Sequence, residues 1–392
     1  MSHAIPPRTK SLHNAPVWNK ELLFVGGFLA RAVYELEMQD IKTQWDACVA
    51  SKKPGEPLDP DLRRGFYDRA RHNLQFFAFH ASTPSTVVSS EMRSAFFNCG
   101  LPFPIVSSSG IKSALDVRMP DSMVSAFLPE LSVFPEELLD GSKLVVAALQ
   151  EKGMLRDITF ADVVKELRVR PLSEEEMTTC LQWWITTYQQ DPMGIDENRR
   201  ALLGAAVLTV GSSEGGDERK IPLHGVQMFL DPRNIIVLTD GPLPGNLLPR
   251  GVNRELDSTR LQESLQWGEL SILEWVQHLV DPAVYTQGGE FNIVESPVWA
   301  DRVLQVLGRC WPTLSEANQT GEVIGLLDKL TCIPTSVGMK TPSEAYFSEA
   351  DVFDDLPIVN LPSGVQIEDS LEEMLAGLGV RNHIDIQIIF DR

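Results

Sequence analysis

The constraint that bears hardest on the fold is a spacing. From Leu22 to Cys48 the apolar residues fall at Leu22, Val25, Leu29, Ala32, Leu36, Ile41, Trp45 and Cys48, in steps of three and four with one slip between Leu36 and Ile41. Residues three and four apart share one side of an α-helix, so the run predicts one long amphipathic helix. Gly26-Gly27 within it points to close backbone approach or a bend. The same logic predicts a second helix after Asp59-Pro60, a cap followed by proline at the first helical position, with Leu62, Phe66, Leu74 and Phe77 along one side. A third helix is expected from Thr83-Pro84 to a stop at Gly100, which makes residues 1–100 an N-terminal helical unit.

Residues 101–230 read as a mixed region. Ile105 to Ser109 and Leu115 to Arg118 suggest short strands around Gly110. Ser142 to Lys152 is a helix ended by Gly153, Arg156-Asp157-Ile158 a short strand, and Thr159 caps a helix to Leu167. Ser173 with Glu176 forms a capping box for the next helix, which carries Met177, Leu181, Trp184 and Tyr188. Ala205 to Val210 and Lys220 to Leu230 then form a hairpin. Helix, strand, helix, helix, hairpin is the element order of a winged helix, expected at about residues 135–230. The Pro- and Gly-rich stretch 231–255 reads as a linker. Residues 256–392 read as a helical region with short strands: Glu269 to Val280, Ser296-Pro297 to Trp311-Pro312, Ser315 to Leu330 and Asp369 to Leu378. No internal repeat is evident by eye. The fold class expected is α+β, predominantly helical and multi-module.

Composition narrows function by exclusion. Lys plus Arg is 34 and Asp plus Glu is 54, a net charge of −20, which argues against bulk attraction to nucleic-acid phosphate or anionic lipid. No apolar run approaches the roughly 18 residues of a membrane span. Leu22 to Ala30 with preceding Arg8, Lys10 and Lys20 imitates a signal peptide, but Glu21 abuts the run and the pattern continues past Ala30-Arg31-Ala32. Cys48, Cys99, Cys180, Cys310 and Cys332 are scattered and odd in number, the usage of a reduced cytoplasmic or nuclear protein. The sequon at Asn318 carries no weight outside a secretory context.

Chemistry-bearing motifs are weak. Gly211-Ser212-Ser213-Glu214-Gly215 matches the nucleophile elbow of serine hydrolases, with His224, His278 and His383 downstream to complete a triad on Ser213. An elbow needs a helix directly after the serine, whereas Gly216 to Lys220 and Pro222 follow here, so a hairpin loop is the simpler reading. The seven histidines show no pair one helical turn apart; His72 and His80 could share a face of the second helix but read as ordinary half-buried histidines. Gly338-Met339-Lys340-Thr341 lacks the glycines of a phosphate loop, and Asp240-Gly241 lacks those of a chaperone-type ATP lid. No cofactor, metal or catalytic residue is therefore assigned. A nucleic-acid-binding winged helix is the other alternative, yet Ser173 to Gln190 carries Glu174, Glu175 and Glu176 and no basic residue. Arg63, Arg64, Arg69 and Arg71 cluster on the second helix and are explained by a solvated face or internal ion pairs. Trp183, Trp184, Trp267, Trp275, Trp299 and Trp311 fall at helical apolar positions and read as core. Between Thr341 and Val380 stand Glu344, Glu349, Asp351, Asp354, Asp355, Glu368, Asp369, Glu372 and Glu373 without Lys or Arg: a solvated surface by default, a docking face for a basic partner on the sharper reading.

The segments Cys332-Ile333-Pro334-Thr335, Gly338-Met339-Lys340, Glu344-Ala345-Tyr346-Phe347, Asp355-Leu356-Pro357-Ile358-Val359 and Leu378-Gly379-Val380-Arg381 resemble the large fungal, sacsin-like proteins that carry a GHKL-type ATPase domain at their N-terminus. Thr83-Pro84-Ser85, Asp157-Ile158-Thr159, Cys180-Leu181-Gln182-Trp183-Trp184 and Trp267-Gly268-Glu269-Leu270-Ser271 fit the region after that domain. The resemblance spans about Ala15 to Arg392 and implies a non-catalytic interaction or relay region, chaperone-related work, and protein partners. It carries over no ATP-binding or catalytic residue. The chain stops at Asp391-Arg392 directly after Ile388-Ile389-Phe390, so a longer natural product is expected.

Overall fold

Caps written into the sequence set where most helices start. In the computed structural model, which describes residues 17–53, 56–79, 86–190, 194–211, 218–233, 235–287, 289–348, 356–364, 367 and 369–383, the chain is a mostly helical α+β protein with short hairpins. It divides into two compact units, Met1–Leu172 and Ser173–Arg392. The first holds α1 (Val17–Ala50), α2 (Pro60–Phe76), α3 (Thr86–Phe97), the antiparallel hairpin β1 (Pro104–Ser107) and β2 (Gly110–Ser113), α4 (Ser122–Phe127), α5 (Glu136–Glu151) and α6 (Phe160–Leu167). The Asp59 carboxylate caps α2, accepting from the N–H groups of Asp61 (2.9 Å) and Leu62 (3.2 Å). Thr159 and Asp162 form a reciprocal capping box on α6. The core is aromatic at its centre: the Tyr34 ring lies 4.9, 5.6 and 5.8 Å from those of Phe103, Phe96 and Phe77. This core continues through Phe134, Val145 and Leu155, so the helical unit expected over residues 1–100 is the front part of one that runs to Leu172. Leu115 lies in a 3-10 turn, Ala114–Asp116, not in a strand.

The second unit holds α7 (Glu174–Gln190), α8 (Ile195–Ala205), β3 (Val207–Val210), β4 (Arg219–Pro222), β5 (Met228–Phe229), α9 (Arg250–Asn253), α10 (Ser258–Leu265), β6 (Gly268–Glu269), α11 (Ile272–Leu279), α12 (Pro282–Tyr285), α13 (Pro297–Glu316), α14 (Thr320–Leu327), β7 (Ile333–Thr335), β8 (Gly338–Lys340) and α15 (Asp369–Leu378). Two expectations are corrected here. Helix α13 does not close at Pro312: Trp311 and Leu314 are buried on either side of it and hold the helix to Glu316, where Asn318 turns the chain at φ +56°. The stretch 231–255 is not a free linker. Val237, Leu247, Leu248 and Val252 are buried, the Asn253 amide donates to the Leu230 carbonyl, and Arg302 pairs with Asp240 at 2.6 Å. Its prolines and glycines make bends that deliver apolar side chains to a core shared with Trp299.

Among the described residues one backbone device occurs three times, which the side-chain pattern does not display. In the first unit the β1–β2 hairpin turns at Gly110 (φ +103°), a 3-10 turn follows, and Arg118 then bridges in parallel to both Val133 and Arg156. In the second unit the β7–β8 hairpin turns at Gly338 (φ +109°), a 3-10 turn Pro342–Glu344 follows, and Tyr346 bridges in parallel to both Ile358 and Arg381. The hydrogen bonds correspond one to one. Ser108 N–H donates to Val133 O and Ser336 N–H to Ile358 O, both at 2.8 Å; Phe134 N–H donates to Arg118 O and Val359 N–H to Tyr346 O, both at 2.8 Å; Arg118 N–H donates to Ser132 O and Tyr346 N–H to Pro357 O, both at 3.0 Å. Between them, β3 and β4 form the middle copy: a 3-10 turn Leu223–Gly225, then Met228 paired in parallel with Leu247 and Gly268. A capped helix follows the first two copies in matching sequence, Asp157-Ile158-Thr159 with Asp162 and Val164, and Glu269-Leu270-Ser271 with Glu274 and Val276. Over residues 135–230 the chain runs α5, an isolated bridge at Arg156, α6, α7, α8 and the β3–β4 hairpin, one helix more than the order expected of a winged helix and without its strand, and a similar run follows as α10, β6, α11, α12, α13, α14 and β7–β8, with two helices more. The division at Leu172/Ser173 falls inside residues 135–230, the span expected of a single winged-helix module.

Candidate interaction surface

Helix α1 carries two apolar seams on opposite sides. The inner one is Gly27, Arg31, Tyr34, Met38, Ile41 and Trp45, all buried, in steps of four and three. A Cβ at Gly27 would strike the Met92 carbonyl oxygen and lie 2.8 Å from the Ala95 Cβ, so glycine lets α3 cross α1 at backbone distance. Arg31, 1% exposed, is buried with full pairing: it donates to Glu35 (2.6 Å), Phe96 O (3.1 Å) and Pro102 O (2.9 Å) and stands 4.3 Å from the Phe103 ring centre. The Tyr34 hydroxyl donates to Pro104 O at 2.7 Å. These bonds lock α1 onto α3 and the segment leading into β1.

The outer seam is Trp18, Leu22, Val25, Leu29, Ala32 and Leu36, with Phe28 and Val33 beside it. Apart from half-buried Ala32, these side chains are exposed, from 47% at Phe28 to 70% at Leu36. Single exposed apolar residues are ordinary, but a contiguous stripe of this length marks a contact surface. At Leu36 the seam runs into a shallow groove of about 710 Å³, lined by Gln39, Leu101, Pro102, Ile111 and Lys112. The stripe Leu22, Val25, Leu29, Ala32, Leu36 from which the sequence predicts an amphipathic helix is therefore the uncovered one. The face the core uses was missed, and the slip between Leu36 and Ile41 was its signal: there the apolar pattern changes sides.

The other sequence candidates fare as follows. Ser213 and its neighbours 212–217 lie outside the described residues, as do His80, Thr83-Pro84 and residues 384–392. His224 is exposed on a 3-10 turn; His278 is half-buried on α11, where burial pushes its imidazole pKa down against the opposing pull of Asp281. Of the arginine cluster, Arg64 pairs with Asp61 (3.8 Å), Arg69 with Asp40 (2.8 Å) and Arg71 with Asp68 (2.6 Å), so intramolecular ion pairs account for most of it. All six tryptophans assigned to the core are buried. In the acidic stretch 341–380, Glu344 is held by its capping partner Thr341 at 2.9 Å, and Asp369 and Glu372 occupy the first turn of α15, where the helix dipole favours them. Glu349, Asp351, Asp354, Asp355 and Glu368 lie outside the described residues. Cys180 and Cys332 are buried and unpaired, and burial pushes both thiols up to about 12. Among the described residues no three His, Cys, Asp or Glu side chains converge as metal ligands, and no helix is long and apolar enough to cross a membrane.

A family model described as a protein of unknown function (DUF3684) matches residues 13–392. No curated protein and no solved structure matches the chain.

Proposed function

The chain belongs to the DUF3684 family, and on that premise we propose that it is a non-catalytic interaction or relay region of a large sacsin-like, chaperone-related protein, engaging protein partners through the outer seam of α1. The observation that carries this reading is the uncovered stripe from Trp18 to Leu36 on a helix whose opposite side is fixed by Arg31 and Tyr34. A contiguous exposed apolar stripe on a fixed helix marks a site of contact with a partner. In the larger proteins its motifs resemble, such a region follows an ATPase domain and would pass that domain's state to a partner. Five unpaired cysteines suit work in the cytoplasm or nucleus.

The test is a photo-crosslinking amino acid placed at Leu29, in the seam, or at Val169, 74% exposed in the turn after α6, with the protein made in its own cells. Position 29 should yield a discrete crosslinked species and position 169 should not. Equal, diffuse crosslinking from both positions would sink the reading.

A further inference from the structure

We infer that the outer seam of α1 is covered by a second copy of this chain, the two α1 helices packing antiparallel. This rests on the interaction reading above and names its partner. The seam from Trp18 to Leu36 follows steps of four, three, four, three and four, the spacing of one strand of a coiled coil. Such a stripe fits another helix bearing the same stripe, and a two-fold axis makes one surface serve as both partners.

Side-chain size fixes the direction. Packed antiparallel about position 27, Trp18 meets Leu36, Leu22 meets Ala32 and Val25 meets Leu29 of the other copy, so large and small residues alternate across the seam. Packed parallel and in register, Trp18 would meet Trp18 and Ala32 would meet Ala32, leaving one layer overfilled and another empty. Charge permits the contact. From Phe24 to Val33 the only ionised side chain is Arg31, and it is turned inward and paired. Glu21, which would approach Glu35 of the other copy, meets a carboxylate already held by Arg31 at 2.6 Å. The area suffices too. Large apolar side chains carry roughly 200 Å² each. Seven of them about half exposed would bury roughly 700 Å² per copy, within the range of stable specific interfaces.

The experiment uses the full chain. Light scattering on a sizing column from 1 to 100 µM should give a mass twice 43.6 kDa, and Leu29→Glu should weaken association at least ~10-fold while leaving the helical circular dichroism unchanged, since within its own chain Leu29 is exposed. Under mild oxidation Phe28→Cys should link to its own copy across the axis and Leu29→Cys should not, with the linkage read by mass spectrometry against the native thiols. A wild-type monomer at 100 µM, Leu29→Glu associating as tightly as the wild type, or preferential Leu29→Cys linkage would overturn the antiparallel pair. If the chain is monomeric while position 29 still crosslinks to another protein in cells, the second copy is refuted and the interaction reading survives. If neither signal appears, both fall.

Discussion

Two serines in matching places of the repeated hairpin allow a graded test of the repeat. The Ser108 hydroxyl donates to Leu131 O and accepts from Val133 N–H, both at 3.2 Å; the Ser336 hydroxyl donates to Leu356 O at 3.0 Å and accepts from Ile358 N–H at 3.3 Å. Each pins the segment that pairs with the central bridging residue. Ser108 is half-buried and its hydroxyl is the only hydrogen-bond partner of Val133 N–H among the described residues, so Ser108→Ala strands a donor. Two bonds of about 1 kcal/mol, partly replaced by water, put the loss at about 1–2 kcal/mol. Ser336 is exposed and Ile358 N–H also reaches Leu356 O at 2.9 Å, so Ser336→Ala should cost only about 0.5–1 kcal/mol. With two units in one chain a single unfolding midpoint is ill-defined, and local hydrogen exchange is the better assay. Peptides covering residues 104–119 and 131–134 should exchange roughly 5–30-fold faster in Ser108→Ala, and those covering 333–347 and 356–360 about 2–5-fold faster in Ser336→Ala. Unchanged exchange in the first set, or a larger effect at Ser336, would refute the claim that both hydroxyls perform one structural task.

Three further outcomes follow from local geometry. Gly241→Ala drives a Cβ into the Trp299 indole, so it should destabilise the second unit by about 1–3 kcal/mol, read as a lower thermal transition followed by tryptophan fluorescence. Hydrogen bonds from Arg118 hold the Asp162 carboxyl well below the usual carboxylate range, and Thr159 adds to this. Because its folded pKa lies below the unfolded value, its stabilisation is present above about pH 4 and fades as pH falls below that. Asp162→Asn should therefore cost about 0.5–2 kcal/mol at pH 7 through the lost cap and flatten the acid limb of a pH–stability profile; an unchanged acid limb would contradict the assignment. A fluorophosphonate probe should leave Ser213 unlabelled, and the chain should pass through a DNA column at physiological salt; labelling would revive the hydrolase, and retention the nucleic-acid reading.

Much of the fold was legible in residues whose effect is local. Asp59-Pro60, Thr159 with Asp162, Ser173 with Glu176 and Ser296-Pro297 start helices because a side-chain oxygen meets a backbone N–H two or three residues on, and each does so in the structure. Proline and glycine misled where tertiary packing decides: Pro312 sits inside α13 because its neighbours are buried, and the 231–255 stretch folds because its bends carry Val237 and Leu247 inward. The repeat escaped notice because its hydrogen bonds are made by the backbone, which leaves side chains free to differ: Arg118 and Tyr346 occupy equivalent bridges with nothing in common but their N–H and C=O. The interaction surface was half legible. Its spacing is plain in the sequence, and the slip between Leu36 and Ile41 marks where the apolar pattern changes sides, but it is the packing of α3 on Gly27 that shows which seam the core uses.

On this reading the outer seam of α1 is covered when the protein is at work. Hydroxyl-radical footprinting of the full chain in its native extract measures this whatever the cover is. Oxidation of Trp18 and Phe28, 66% and 47% exposed, should fall well below that of Phe76, an aromatic 74% exposed on α2. Trp18 and Phe28 reacting as fast as Phe76 would mean that water reaches the stripe freely and that it binds nothing.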